Sequence, residues 1–249
     1  MIIALVLALQ DKIVFEQDWR VWSMNPDGTE RREKGGRFQF EGRTSPDGTK
    51  RVDVMLSCGS FGLSIDGIEI EDDGALNPRW SADGARIVYE AGDEIWTMNA
   101  DGTDRKKVAE GHMPQFLDDG RILRRVRAGQ DGKLTLWSLK AGDETIVESA
   151  PILDVAVRGD RIAYSTPEGI HVGDRLLRYG DRFWAHGAHG LVWSPDGDAI
   201  ACSIRFLGGR EAGAEVIGDK EIYIVPLDGG EIRSIEVGDG ATPISWEKP

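Results

Sequence analysis

Val21-Trp-Ser-Met-Asn-Pro-Asp-Gly-Thr-Glu-Arg-Arg32 and Ile95-Trp-Thr-Met-Asn-Ala-Asp-Gly-Thr-Asp-Arg-Lys106 are nearly the same segment written twice in one chain. Each begins with alternating apolar and polar residues, the period of a half-buried β-strand. Each then meets an Asp-Gly corner, where glycine supplies the positive φ that a tight hairpin needs, and continues as a polar returning strand. A short unit that copies itself within a domain predicts a fold built by repetition.

The copies belong to a longer series. The first apolar residue after each early turn is Ile13, Val52, Ile87, Ile122, Ile162 and Ile200, at intervals of 39, 35, 35, 40 and 38. Five of these turns are recognisable as Ser45–Gly48, Ser81–Gly84, Leu117–Gly120, Arg158–Asp160 and Ser194–Gly197. In Ser-Pro-Asp-Gly the proline presets φ, the aspartate suits the second corner position and the glycine closes the hairpin with a bulge. A second corner follows in every unit: Asp27-Gly28, Asp66-Gly67, Asp101-Gly102, Ala141-Gly142, Gly173-Asp174 and Asp228-Gly229. Four short strands in ~38 residues, six times over, predict an all-β, six-bladed propeller with four antiparallel strands per blade. Trp22, Trp96, Trp137 and Tyr223 recur at one position, where flat rings would fill the wedge between blades.

Ring closure is legible too. Thr242–Trp246 reads as an innermost strand, and Lys12–Phe15, Arg20–Ser23 and Thr29–Arg32 supply the other three strands of a first blade. The first blade is therefore expected to be closed by the C-terminal strand, making 1–249 a single domain. Residues 3–9 compete for the same slot, so 1–10 read either as an extra strand or as a remnant signal segment. The run Met1–Leu9 is too short to span a bilayer, and no Lys or Arg precedes it as a secretory leader requires. The stretch 206–219, Gly-rich and of mixed charge, separates two strands that are elsewhere joined by a few residues. A loop of that length reads as mobile or functional.

Composition narrows the functions. The formal charge is −13, from 43 acidic and 30 basic residues, which repels a phosphate backbone and makes nucleic acid a disfavoured partner. Anionic membrane surfaces are disfavoured for the same reason, and no direct membrane insertion is expected. Cys58 and Cys202 fit no zinc spacing and fall in non-adjacent blades, so no disulfide is expected.

The units resemble the WD40-like PD40 repeats of the TolB family. That pattern is an inner strand ending in an aromatic, Ser-Pro-Asp-Gly-Lys, a strand, an Ile-Tyr/Trp strand and an Asp-Gly corner. Trp80-Ser-Ala-Asp-Gly84 with Ile95-Trp96 and Asp101-Gly-Thr103 matches, as does Trp193-Ser-Pro-Asp-Gly197 with Ile222-Tyr223 and Asp228-Gly-Gly230. The resemblance spans nearly the whole chain, with a degenerate fifth blade. It implies the propeller and a protein-binding scaffold role. It also implies a periplasmic or secreted location, against a cytoplasmic one if residues 1–10 are a retained strand. It is weak for activity, because such propellers serve both binding proteins and enzymes.

Catalytic motifs are sparse. No Gly-x-Ser-x-Gly elbow and no His-Glu-x-x-His helix occurs. The Asp-Gly corners each offer one carboxylate where Ca²⁺ requires six to eight oxygens. The remaining lead is the set of residues at the starts of the inner strands, which gather around one mouth of the central channel: Arg79, His112, Gln115, His186 and His189, with the 206–219 loop alongside. The expectation is a non-enzymatic scaffold, monomeric and without a cofactor, that binds a protein partner there. The alternative is a small-molecule hydrolase or lyase with a metal in the channel on His112, His186 and His189. His171 aligns with the aromatic positions and is expected to pack.

Overall fold

A computed structural model describes residues 11–18, 20–35, 39–57, 60–70, 74–131, 134–179, 185–207, 216–217, 221–238 and 241–247. These form six antiparallel sheets and no helix. Blade 1 runs outward from Thr242–Glu247 through Lys12–Gln17 and Arg20–Met24 to Arg32–Gly35, so the C-terminal strand does occupy the innermost slot. Residues 1–10, the competitor for that slot, lie outside the described residues. Blade 2 comprises Gln39–Thr44, Arg51–Ser57, Ser60–Ile65 and Ile68–Ile70. Blade 3 comprises Ala75–Trp80, Arg86–Ala91, Glu94–Asn99 and Lys106–Glu110. Blade 4 comprises His112–Phe116, Ile122–Asp131, Leu134–Ala141 and Glu144–Ala150. Blade 5 comprises Asp154–Arg158, Arg161–Thr166, Gly169–Val172 and Arg175–Arg178. Blade 6 comprises Ala185–Trp193, Ala199–Leu207, Glu221–Pro226 and Arg233–Glu236, with Val216–Ile217 pairing the far end of its second strand. The six inner strands touch their neighbours in a closed circle.

Turn chemistry sets the hairpins. In the turns at Ser45, Ser81, Leu117 and Ser194, the glycine N–H donates to the first residue's carbonyl at 2.9–3.0 Å. All four glycines have φ between 68° and 82°. The serine hydroxyl donates to the turn aspartate, Ser45 to Asp47 and Ser81 to Asp83 at 2.6 Å and Ser194 to Asp196 at 2.5 Å. It also accepts the N–H of the returning strand at Lys50, Arg86 and Ala199. The two copied segments close in the same way. Gly28 N–H donates to Asn25 and Gly102 N–H to Asn99, while Thr29 and Thr103 hydroxyls donate to Asp27 and Asp101 at 2.6 Å. Both corners also abut the outer strand of the preceding blade: a Cβ on Gly28 would meet Ile235 at 2.8 Å, and one on Gly102 would meet Ile70 at 3.0 Å.

The repeat needs one adjustment. Ile13, Ile87, Ile122, Ile162 and Ile200 pair with Trp246, Trp80, Phe116, Val157 and Trp193. In blade 2 that slot holds Arg51, paired with Thr44, and Val52 stands one residue further on. The turn shows why. Ser45 N–H donates to Lys50 as Ser81 N–H donates to Arg86, so Arg51 is equivalent to Ile87, and counting by the first apolar residue slips the register. A slip of one reverses the face. Arg51 and Asp53 therefore face blade 1, while Val52 and Val54 join Ile87 and Tyr89 between blades 2 and 3.

Four blade interfaces hold apolar clusters: blades 6 and 1 around Ile13, Phe15 and Ile222, blades 2 and 3 around Leu63 and Tyr89, blades 4 and 5 around Leu123 and Leu139, and blades 5 and 6 around Ile200 and Ile204. Each fully buried large aliphatic or phenylalanine side chain contributes roughly 1.5–3 kcal/mol. Trp22, Trp96, Trp137 and Tyr223 pack on these clusters one apiece. His171 stacks on Tyr164 with centroids 4.5 Å apart, and burial pushes its pKa down. Among the described residues, polar contacts stand out between blades 1 and 2 and between 3 and 4. Asp53, almost fully buried, pairs with Arg51 at 2.7 Å. Glu90 bridges blade 3 to blade 4.

Candidate binding channel

Just before the slot held by Trp246, Thr44, Trp80, Phe116, Val157 and Trp193, each inner strand contributes a side chain to the axis: Ser245, Arg43, Arg79, Gln115, Ala156 and Val192. Together with Arg158, Ser194 and the tryptophans Trp193 and Trp246, they line a hollow of about 340 Å³. The strand-end tryptophans fasten this ring from behind. Trp80 Nε1 donates to the Arg43 carbonyl at 2.9 Å, and Trp193 Nε1 donates to the Ala156 carbonyl at 3.2 Å. Both bonds run to the preceding blade. Gln115 runs to the next one: its Nε2 donates to the Val155 carbonyl at 2.6 Å and its Oε1 accepts the Val157 N–H at 3.0 Å.

Two residues further back the inner strands bulge. Asn77, Met113 and Gly190 sit at φ 51°, 51° and 62°, each where the pairing register shifts. A bulge bends the strand and leaves a backbone group out of the ladder, which is costly when buried. Here two freed N–H groups are answered by carboxylates of the preceding blade. Met113 donates to Glu90 at 2.8 Å, and Leu191 donates to Asp154 at 2.9 Å. Glu90 also accepts from Asn77 at 2.5 Å, and Asp154 accepts from Val155 at 2.7 Å. Burial pushes the Asp154 pKa up; these backbone N–H groups and then Arg79 and Arg43 pull it back. The bulged residues open onto a second hollow of about 450 Å³ lined by Glu16, Phe61, Leu76, Asp154, His189 and Thr242 among others. All six blades contribute to this mouth, and Arg43 and Arg79 line both hollows.

Of the residues expected at the channel mouth, Arg79 and His189 line the outer hollow, and Arg79 and Gln115 line the inner one. His112 stands between blades 3 and 4, edge-on to Trp137 at 5.4 Å, with Nδ1 3.7 Å from Glu90 and Nε2 3.4 Å from Asp93. The His186 side chain lies outside the described residues, as does most of the 206–219 loop. Its two described ends pair as a ribbon, Phe206 with Ile217 and Leu207 with Val216. Among the described residues no three His, Cys, Asp or Glu side chains gather where they could hold a metal ion. No described helix is long and apolar enough to cross a membrane.

Sequence reasoning passed over Arg43, Glu90 and Asp154. Arg43 had a signal, since Arg43-Thr-Ser45 stands before its turn as Arg79-Trp-Ser81 stands before the next. Glu90 and Asp154 had none, because their partners are backbone groups freed by bulges in another blade. A further hollow of about 660 Å³ lies away from the axis, over Tyr164, Val172 and Leu177 in blade 5 and Ile146 in blade 4.

No protein-family model matches the sequence, and no curated protein matches it. Solved structures do. TolB from Acinetobacter baumannii is similar over 95% of this chain and 66% of its own, at 14% identity and a TM-score of 0.64. The tricorn protease is similar over 92% of this chain and 26% of its own, at 16% identity and a TM-score of 0.59. A prolyl endopeptidase is similar over 91% and 43%, at 13% identity and a TM-score of 0.51. The chain thus spans about two thirds of TolB and less than half of either peptidase. The fold is that of a TolB-like six-bladed β-propeller.

Proposed function

We propose that the chain is a non-enzymatic scaffold that receives a segment of a partner protein at the channel mouth. One observation carries this reading. The mouth draws side chains from all six blades and mixes Phe61, Leu76 and Met113 with Glu16, Asn77 and His189. That is the blend of apolar contact and sparse polar groups by which a concave site fixes a bound segment.

The test is capture from native cells with tagged wild-type protein beside a His189→Ala, Thr242→Lys variant whose folding is checked by circular dichroism. The captured protein is then purified and titrated by calorimetry. The variant is expected to bind at least ~10-fold more weakly, about 1.4 kcal/mol. Equal affinity for both proteins overturns mouth docking.

A further inference from the structure

The inner hollow has an electrostatic character opposite to that of the molecule. The chain carries a formal −13, yet the constriction is lined by Arg43, Arg79 and Arg158 and, among the described residues, by no carboxylate. Acids do occur nearby, at the outer mouth, where Glu16 and Asp154 line the space that Arg43 and Arg79 also reach; both Asp154 oxygens accept from backbone N–H groups, of Leu191 and Val155, and Arg79 and Arg43 act on its charge from a distance. The other polar groups of the constriction are mostly donors or already engaged. The Gln115 amide is held by blade 5, and Arg158 is bonded to the Pro195 carbonyl at 2.5 Å. Arg79 donates from Nη1 to its own neighbour's carbonyl at Pro78, one bond from a fork that carries five donors. Trp246 also lines the hollow. Trp80 and Trp193 give their indole N–H to the preceding blade, whereas the buried Nε1 of Trp246 has no partner among the described residues.

A space with arginine forks from adjacent blades and, among the described residues, no carboxylate in its own wall suits a ligand that only accepts hydrogen bonds. A planar carboxylate or a phosphate meets a guanidinium bidentately. We propose that the constriction, around Arg43 and Arg79, is an oxyanion site, and that in the docked complex it holds a carboxylate of the partner's segment. The second half of this statement rests on the mouth-docking reading; the first half does not. A hollow of about 340 Å³ takes an acidic side chain or a chain terminus. The surrounding negative charge repels anions in general and so keeps non-specific anion binding low.

Trp193 and Trp246 in the wall make intrinsic fluorescence a direct readout, with calorimetry alongside. Three probes are titrated at low salt: inorganic phosphate, a hexapeptide of Gly and Ser with a free C-terminal carboxylate, and the same peptide as its C-terminal amide. Wild type is expected to saturate with phosphate and the free-acid peptide but not with the amide. Arg79→Ala and Arg79→Gln are both expected to weaken binding by at least ~10-fold, with melting temperatures showing that each has folded, and Arg79→Lys is expected to retain part of the affinity. Absence of saturable phosphate binding, or equal binding by the Arg79 variants, overturns the oxyanion site. Saturation by phosphate but not by the free-acid peptide overturns the carboxylate assignment alone. A partner that binds Arg79→Ala as tightly as wild type also overturns that assignment and leaves mouth docking standing. Failure of mouth docking with phosphate still saturating does the reverse.

Discussion

Gln115 is a clamp between two blades, and Gln115→Met isolates its worth. Methionine keeps the length and volume of the side chain and removes both hydrogen bonds to blade 5, at 2.6 and 3.0 Å. The residue is 8% exposed and Val155 is 3% exposed, so water does not readily replace the bond to the Val155 carbonyl. Each bond contributes about 1 kcal/mol net, and an orphaned buried partner costs about 1–3 kcal/mol. The loss is therefore roughly 2–4 kcal/mol, which for a domain of this size lowers the melting temperature by roughly 5–15 °C. Urea unfolding should show a lower midpoint at unchanged slope. A Gln115→Met loss under about 0.5 kcal/mol refutes the clamp.

Trp80→Phe and Trp193→Phe should each cost about 1 kcal/mol by losing a bond between blades, while Trp246→Phe, whose indole N–H has no partner among the described residues, should cost less in the same urea assay. Gly28→Ala should be more damaging than Gly48→Ala, because both sit at positive φ, 86° and 73°, but only the first drives a methyl against Ile235 at 2.8 Å. The strain common to both is about 1 kcal/mol, so the difference between their unfolding midpoints reads the blade contact alone. The turn aspartates contribute to acid sensitivity. The Ser45 hydroxyl and then the Thr49 backbone and hydroxyl hold Asp47 down to about 2 from 3.8, and serine hydroxyls lower Asp83 and Asp196 in the same way. Their contribution is present above pH 3.8 and is lost as pH falls toward the depressed values. Asp47→Asn should flatten that limb of the stability curve, and an unchanged acid transition would contradict it.

Much of the candidate site was legible and some of it was not, for reasons that differ by residue. Arg79 and His189 could be placed on the channel because they stand at fixed offsets from a recognisable turn or inner strand, and offset along a strand translates directly into depth along the axis. His112 has nearly the same offset, yet its ring lies between blades, next to Glu90 and Trp137. The bulge at Met113 matches the one at Gly190, so the strand itself does not separate the two histidines; His112 instead meets Trp137 and Glu90, side chains of other strands that its own segment does not record. Blade 2 was read one residue out of register because polar Arg51 occupies a slot that is apolar elsewhere.

Sequence alone determined the blade number, the placing of nearly every hairpin and the closure of the first blade by the C-terminal strand. These depend on contiguous residues, on a period of two and on what serine, aspartate and glycine do within a four-residue turn. Only the tertiary structure decided which polar groups meet. Glu90 reaches Met113, Asp154 reaches Leu191, and Arg43 stands beside Arg79 because neighbouring blades are brought edge to edge around the axis. Those pairings lie 23 to 37 residues apart in the chain. They answer backbone groups that strand bulges release, so no local pattern of side chains records them.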